Sequence, residues 1–136
     1  MNFKSKKMKV KVLSMLFMFV SLVSCVKKQA DGVKVVDTTA YENALKQPDA
    51  QLLDVRTADE YSEGHIANAK NVNIMADDFD AQVATLDKTK PVLVYCKVGG
   101  RSAKAATRLK ELGFTNIIDL DGGFNSWSND NKPIEK

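Results

Sequence analysis

"PVLVYCKVGGRS", Pro91 to Ser102, decides the fold. Its first five residues are apolar without alternation, so a strand here has both faces covered, as in the middle of a parallel sheet. The run ends at Cys96, and two glycines follow. From about Ser102 onward Ala105, Leu109 and Leu112 keep helical spacing, with Ala106 widening the stripe and Gly113 at the C′ position. In open α/β sheets, sites form beyond the carboxyl ends of strands, where the next helix offers its N-terminus. Cys96 stands at such an end.

The flanking sequence repeats the pattern. "QLLDV" (51–55), "NVNI" (71–74) and "NIIDL" (116–120) read as further strands. Asp37 is an N-cap for a helix carrying Tyr41, Ala44 and Leu45 on one face, stopped by Pro48 and Asp49. Phe79, Val83 and Leu86 recur at i, i+4 and i+7 after Asp77, marking another helix. Alternating strands and helices predict an α/β fold of three layers: a mainly parallel central sheet with helices on both faces.

The 136 residues suit one domain, and 44% hydrophobic content supplies a core. The net charge of +3 is misleading, because Lys4, Lys6, Lys7, Lys9 and Lys11 all fall in the first 24 residues, where no acid occurs. The remainder has 15 basic and 17 acidic residues and no basic stripe, which argues against nucleic acid as a partner.

Those first 24 residues read as an export signal, since a lysine-rich start runs into the apolar "VLSMLFMFVSLV". The apolar stretch is short for a span, which needs about 20 residues. "LVSC" (22–25) resembles the bacterial lipoprotein signal, which implies that Cys25 is lipidated and becomes the new N-terminus. The expected layout is a signal peptide over 1–24, a tether over 25–33 and one domain over 34–132. The domain would then sit in the bacterial cell envelope, held to a membrane by lipid and most simply facing the periplasm. With Cys25 acylated, Cys96 has no intramolecular disulfide partner.

Thiolate is the nucleophilic form of cysteine, and a free thiol with a pKa of about 8.5 is mostly protonated at neutral pH. Loop amides, the positive end of the following helix, and the charges of Lys97 and Arg101 would all favour the anion. Gly99 and Gly100 permit the backbone angles and close approach of such a nest. A buried structural cysteine followed by a Gly-Gly turn is the competing reading of the loop.

The longer stretch "LLDVRTADEYSEGHIANAKNVNI" (52–74) resembles the signature of rhodanese-like domains, and "NIIDLDGGFNSW" (116–127) resembles their C-terminal signature. Between them, Cys96 to Arg101 matches the length and position of the family's six-residue active-site loop. The resemblance implies a rhodanese-like three-layer fold and a sulfurtransferase, in which Cys96 takes a sulfane sulfur from a donor such as thiosulfate or polysulfide. The resulting persulfide would be held with the donor by the loop Lys97, Val98, Gly99, Gly100 and Arg101, then passed to a thiophilic acceptor or an accepting partner protein.

No cofactor is required for that cycle. Two cysteines and one histidine make no metal-ligand cluster. Asp54 and Arg56, at a strand end, are read as a structural brace near the site, His65 as bracing a turn, and Phe124 and Trp127 as packing of the last helix. Two-domain thiosulfate:cyanide enzymes of the family carry an arginine where this chain has Glu60 and a lysine where it has Val98. Both would help bind a dianionic donor; here the charges that would do so stand instead at Lys97 and Arg101.

Two other functions compete. A phosphatase or arsenate reductase of the related fold also places a cysteine before an arginine, but uses Cys-x5-Arg where this chain has Cys-x4-Arg. A non-catalytic module binding a protein partner through the same cleft would be indifferent to loss of Cys96.

Overall fold

The structure, a computed structural model, describes residues 27–30 and 32–136. The stretch expected to be a signal peptide and the cysteine expected to be lipidated, Cys25, lie outside the described residues. No described helix is long and apolar enough to cross a membrane.

In chain order the elements are β1 (Lys27–Ala30), β2 (Val33–Val36), α1 (Thr38–Leu45), β3 (Gln51–Asp54), α2 (Ala58–Glu63), β4 (Lys70–Asn71), α3 (Phe79–Val83), β5 (Val92–Tyr95), α4 (Gly100–Glu111), β6 (Ile117–Leu120) and α5 (Gly123–Asn129). The sheet runs β1-β2-β6-β5-β3-β4. All neighbours pair in parallel except β1, which is antiparallel to β2. The α/β architecture expected from the sequence is the one observed.

β5 lies between β6 and β3, and every residue of it is buried. Val92, Val94 and Cys96 face the layer of α3 and α4, packing with Ala105 and Leu109, while Leu93 and Tyr95 face the opposite layer with Tyr41 and Trp127. Two covered faces explain why this strand is apolar at successive positions.

Several boundaries differ from the sequence reading. Within the stretch read as a tether, β1 already pairs with β2, so the sheet starts at Lys27 and not near Lys34. This pairing covers the edge of β2, whose backbone groups would otherwise go unpaired, and Gly32 at φ +88° stands in the turn between them. The strand expected over 71–74 is shorter, because Asn73 accepts a side-chain hydrogen bond from the Met75 amide at 2.9 Å and turns the chain away from the sheet edge. Helix α2 was not read from the sequence, although "TADE" (57–60) carries its signal. Thr57 and Glu60 form a reciprocal capping box at its start.

Candidate active site

β5 delivers Cys96 to the α4 side of the sheet, and Gly99, at φ +123°, turns the chain directly into α4. Side chains rarely adopt that angle, so the backbone itself calls for glycine at 99. The Gly99 N–H donates to Cys96 Sγ at 3.0 Å. The Cys96 thiol in turn donates to Ser102 Oγ at 3.4 Å, and the Ser102 hydroxyl donates to the Gly99 carbonyl at 3.1 Å. Cys96 has 0% exposure, so the sulfur lies at the floor of the loop and not on its rim.

Helix α4 begins at Gly100, earlier than the apolar periodicity predicts. Gly100, Arg101 and Ser102 therefore contribute first-turn amides, which a helix leaves without internal acceptors, and the positive end of the helix dipole adjoins the loop. Of the loop amides expected to hold a persulfide, that of Gly99 is the one bonded to the sulfur.

A second helix start steadies the loop from behind. Phe124 N–H donates to the Cys96 carbonyl at 2.8 Å, and Asn125 N–H donates to the Lys97 carbonyl at 3.1 Å. Such close packing requires Gly123, where a Cβ would stand 2.5 Å from the Cys96 carbonyl oxygen. Gly100 is different: its φ is not positive, and a Cβ there would meet no protein atom within 4 Å. The fold leaves that space open.

The charges expected to attract a donor are not equally free. Arg101 donates from Nη1 and Nη2 to the two carboxylate oxygens of Glu60 at 2.7 and 2.8 Å. The Arg101 hydrogen bonds hold the Glu60 carboxyl down at about 2, against an opposing effect of burial. Among the described residues the Lys97 ammonium has no ion-pair partner, and Val98 is 63% exposed at the loop tip. Beside the loop opens a cleft of about 250 Å³ lined by Arg56, Glu60, Glu63, Lys97, Phe124 and Ile134, among others.

Asp54 and Arg56 form a buried ion pair, with Nε at 3.0 Å from Oδ1 and Nη2 at 2.6 Å from Oδ2. Arg56 Nη2 also donates to the Gly64 carbonyl at 2.7 Å, and its guanidinium lies 4.3 Å from the centre of the Phe124 ring. The pair thus links the end of β3, the turn after α2, and the helix that holds the cysteine loop. His65 stacks on Tyr61, with ring centres 3.7 Å apart, and its backbone bridges to Glu135 in the C-terminal segment. Trp127 donates from Nε1 to the Pro133 carbonyl at 2.8 Å and packs edge-on against Tyr41.

Two buried polar residues, Ser102 beside the sulfur and Asp119 beside Ser102, escaped the sequence reading. Ser102 is fully buried, and Asp119 on β6 is buried with no hydrogen-bond partner on Oδ1 among the described residues. Burial pushes the Asp119 carboxyl up to about 6, opposed by Ser102, which favours the carboxylate. A charged residue inside "NIIDL" was the available signal for Asp119; Ser102 carried none beyond its place at the helix start.

Fold and site together define an α/β domain built around one buried thiol at the carboxyl end of its central strand. Residues 37–130 match the family described as the rhodanese-like domain. The chain belongs to that family. It is 42% identical over 83 residues to thiosulfate sulfurtransferase GlpE of Coxiella burnetii, an alignment spanning 61% of this chain and 76% of that protein. A rhodanese-related protein from Thermoplasma volcanium superposes with a TM-score of 0.66 at 31% identity, covering 74% of this chain and 96% of that one. The 30 kDa polysulfide-sulfur transferase homodimer of Wolinella succinogenes superposes with a TM-score of 0.63 at 31% identity, covering 74% and 77%.

Proposed function

We propose that the protein is a sulfurtransferase that carries sulfane sulfur as a persulfide on Cys96. The observation that carries this reading is the Gly99 N–H at 3.0 Å from Cys96 Sγ, in a loop capped by the amino end of α4. A donor such as thiosulfate or polysulfide is the reading favoured by relatives that bear those names.

In the first half-reaction the Cys96 thiolate attacks the outer sulfur of the donor. The new S–S bond forms as the donor's own bond to that sulfur breaks, and the donor remnant leaves with the electron pair. In the second, a thiophilic acceptor, free or on a partner protein, attacks the outer sulfur and regenerates the Cys96 thiolate. The loop steadies negative charge on whichever sulfur carries it. Ser102 Oγ, at 3.4 Å, is placed to receive the thiol's hydrogen bond before attack.

The test is intact-mass spectrometry before and after addition of donor. Nucleophilic catalysis predicts a gain of about 32 Da on wild type, its absence in Cys96→Ser, and its removal by cyanide. A reduced, folded protein that gains no sulfur from any donor would end the reading.

Export and lipid anchoring belong to the same proposal, on the strength of "LVSC" after a basic and apolar leader. One acyl chain binds membranes only marginally, so a stable anchor needs more than one chain on Cys25. Cys25→Ala should move the protein out of the membrane fraction of the producing cell, and an unchanged distribution would remove the anchor.

A further inference from the structure

We propose that Glu60 selects the sulfur donor by charge, cancelling Arg101 so that the site favours singly charged donors with an organic substituent over the thiosulfate dianion. The inference rests on the sulfurtransferase reading and names the donor class for that site.

The argument begins with geometry. Glu60 accepts four hydrogen bonds: two from Arg101, and two from Thr57, through N at 3.1 Å and Oγ1 at 3.0 Å. The bond from the Thr57 N–H belongs to the capping box of α2, so the carboxylate is fixed to a helix start and does not wander as a surface side chain would. Arg101 and Glu60 side chains are 29% and 25% exposed, which limits solvent screening of the pair. Arg101 stands in the first turn of α4 between Gly99, whose N–H meets the Cys96 sulfur, and Ser102, whose hydroxyl lies 3.4 Å from it, so the pair borders the loop over which a donor must approach.

The remaining charges do not restore a cationic site. Arg56 is matched by Asp54, and the cleft beside the loop carries Glu63 as well as Lys97. Arg56, Lys97 and Arg101 are thus balanced by Asp54, Glu60 and Glu63. A donor with two negative charges gains little net attraction there. Phe124 and Ile134, which line the same cleft, offer apolar surface that thiosulfate has no group to use.

Methanethiosulfonate anion isolates the effect, because it replaces one charged oxygen of thiosulfate with a methyl group and keeps the transferable sulfur. Its reaction is balanced in the same way: the Cys96 thiolate bonds to the outer sulfur, the bond between the two donor sulfurs breaks, and methanesulfinate leaves where sulfite would. No oxidant or reductant is consumed.

The experiment measures second-order rate constants for sulfur loading of Cys96 by each anion and takes the ratio of thiosulfate to methanethiosulfonate, so that differences in folding or thiol reactivity cancel. Glu60→Gln keeps an acceptor for the cap and removes the charge. A unit charge released at this range predicts a rise in the ratio of about fivefold or more. In the double variant Glu60→Gln with Arg101→Gln the net charge of the pair is that of wild type again, and the ratio should fall back. A smaller rise in the single variant, or a rise that persists without Arg101, overturns the proposal while leaving the sulfurtransferase intact. Failure of both anions to load a wild-type protein that polysulfide does load would overturn this inference alone, whereas failure of polysulfide as well would remove the sulfurtransferase reading and this inference with it.

Discussion

Gly123 packs so tightly against Cys96 that a Cβ on it would stand 2.5 Å from the Cys96 carbonyl oxygen and 2.7 Å from that of Lys97. Gly123 also has φ +59°, which side chains rarely adopt. Strain and collision therefore act together in Gly123→Ala, at an expected cost of about 2 kcal/mol or more. Urea unfolding should show that loss, and sulfur loading of the folded fraction should slow because α5 no longer holds the cysteine loop in place.

Gly100 provides the contrast. A methyl group there meets no protein atom within 4 Å, and α4 has already begun, so Gly100→Ala should leave stability within about 0.5 kcal/mol of wild type. If the open space is where the donor sits, the methyl group occupies it. Loading should then slow by about tenfold, as expected when reacting groups are kept from close approach. Equal loading rates in a stable variant would place the donor elsewhere.

Asp119 sets a pH dependence with a definite sign. Burial holds its carboxyl at about 6, whereas an unfolded aspartate titrates near about 3.9. Between those values the folded protein binds a proton that the unfolded chain does not, so this group makes stability fall as pH rises through the window and stay lower above it. Asp119→Asn removes that contribution. Its stability relative to wild type should improve from pH 4 to pH 6 and then level off, by about 2 kcal/mol. Urea midpoints across that range measure it, and a flat difference would show that Asp119 does not titrate there.

Asp54 and Arg56 test the brace. Removing one charge of a buried pair leaves the other without compensation, which costs about 3 kcal/mol or more. Asp54→Asn should lower the melting temperature accordingly. Because Arg56 also reaches the Gly64 carbonyl and the Phe124 ring, the cysteine loop should become more open to alkylation even in the folded protein. Unchanged alkylation of Cys96 would confine the pair to stability.

Much of the molecule was legible in the sequence because local chemistry dictates it. An apolar run without alternation specifies a strand covered on both sides, which is why 91–95 located the middle of the sheet before any partner strand was known. Asp37 as a cap, Gly113 past a helix end, and Gly99 in the cysteine loop follow from backbone angles and unpaired amides that neighbouring residues decide. What only the tertiary structure decided are relationships between distant residues. Glu60 meets Arg101 from another helix, Asp119 comes under Ser102 from another strand, and the amides of α5 reach back to the cysteine loop. Even the use of 27–30 as an edge strand depends on β2 being present to pair with it. No periodicity encodes such encounters, since they arise from how strands order themselves and helices pack. The buried cysteine at the end of the central strand could therefore be picked out from the chain, but the ion pair beside its loop could not.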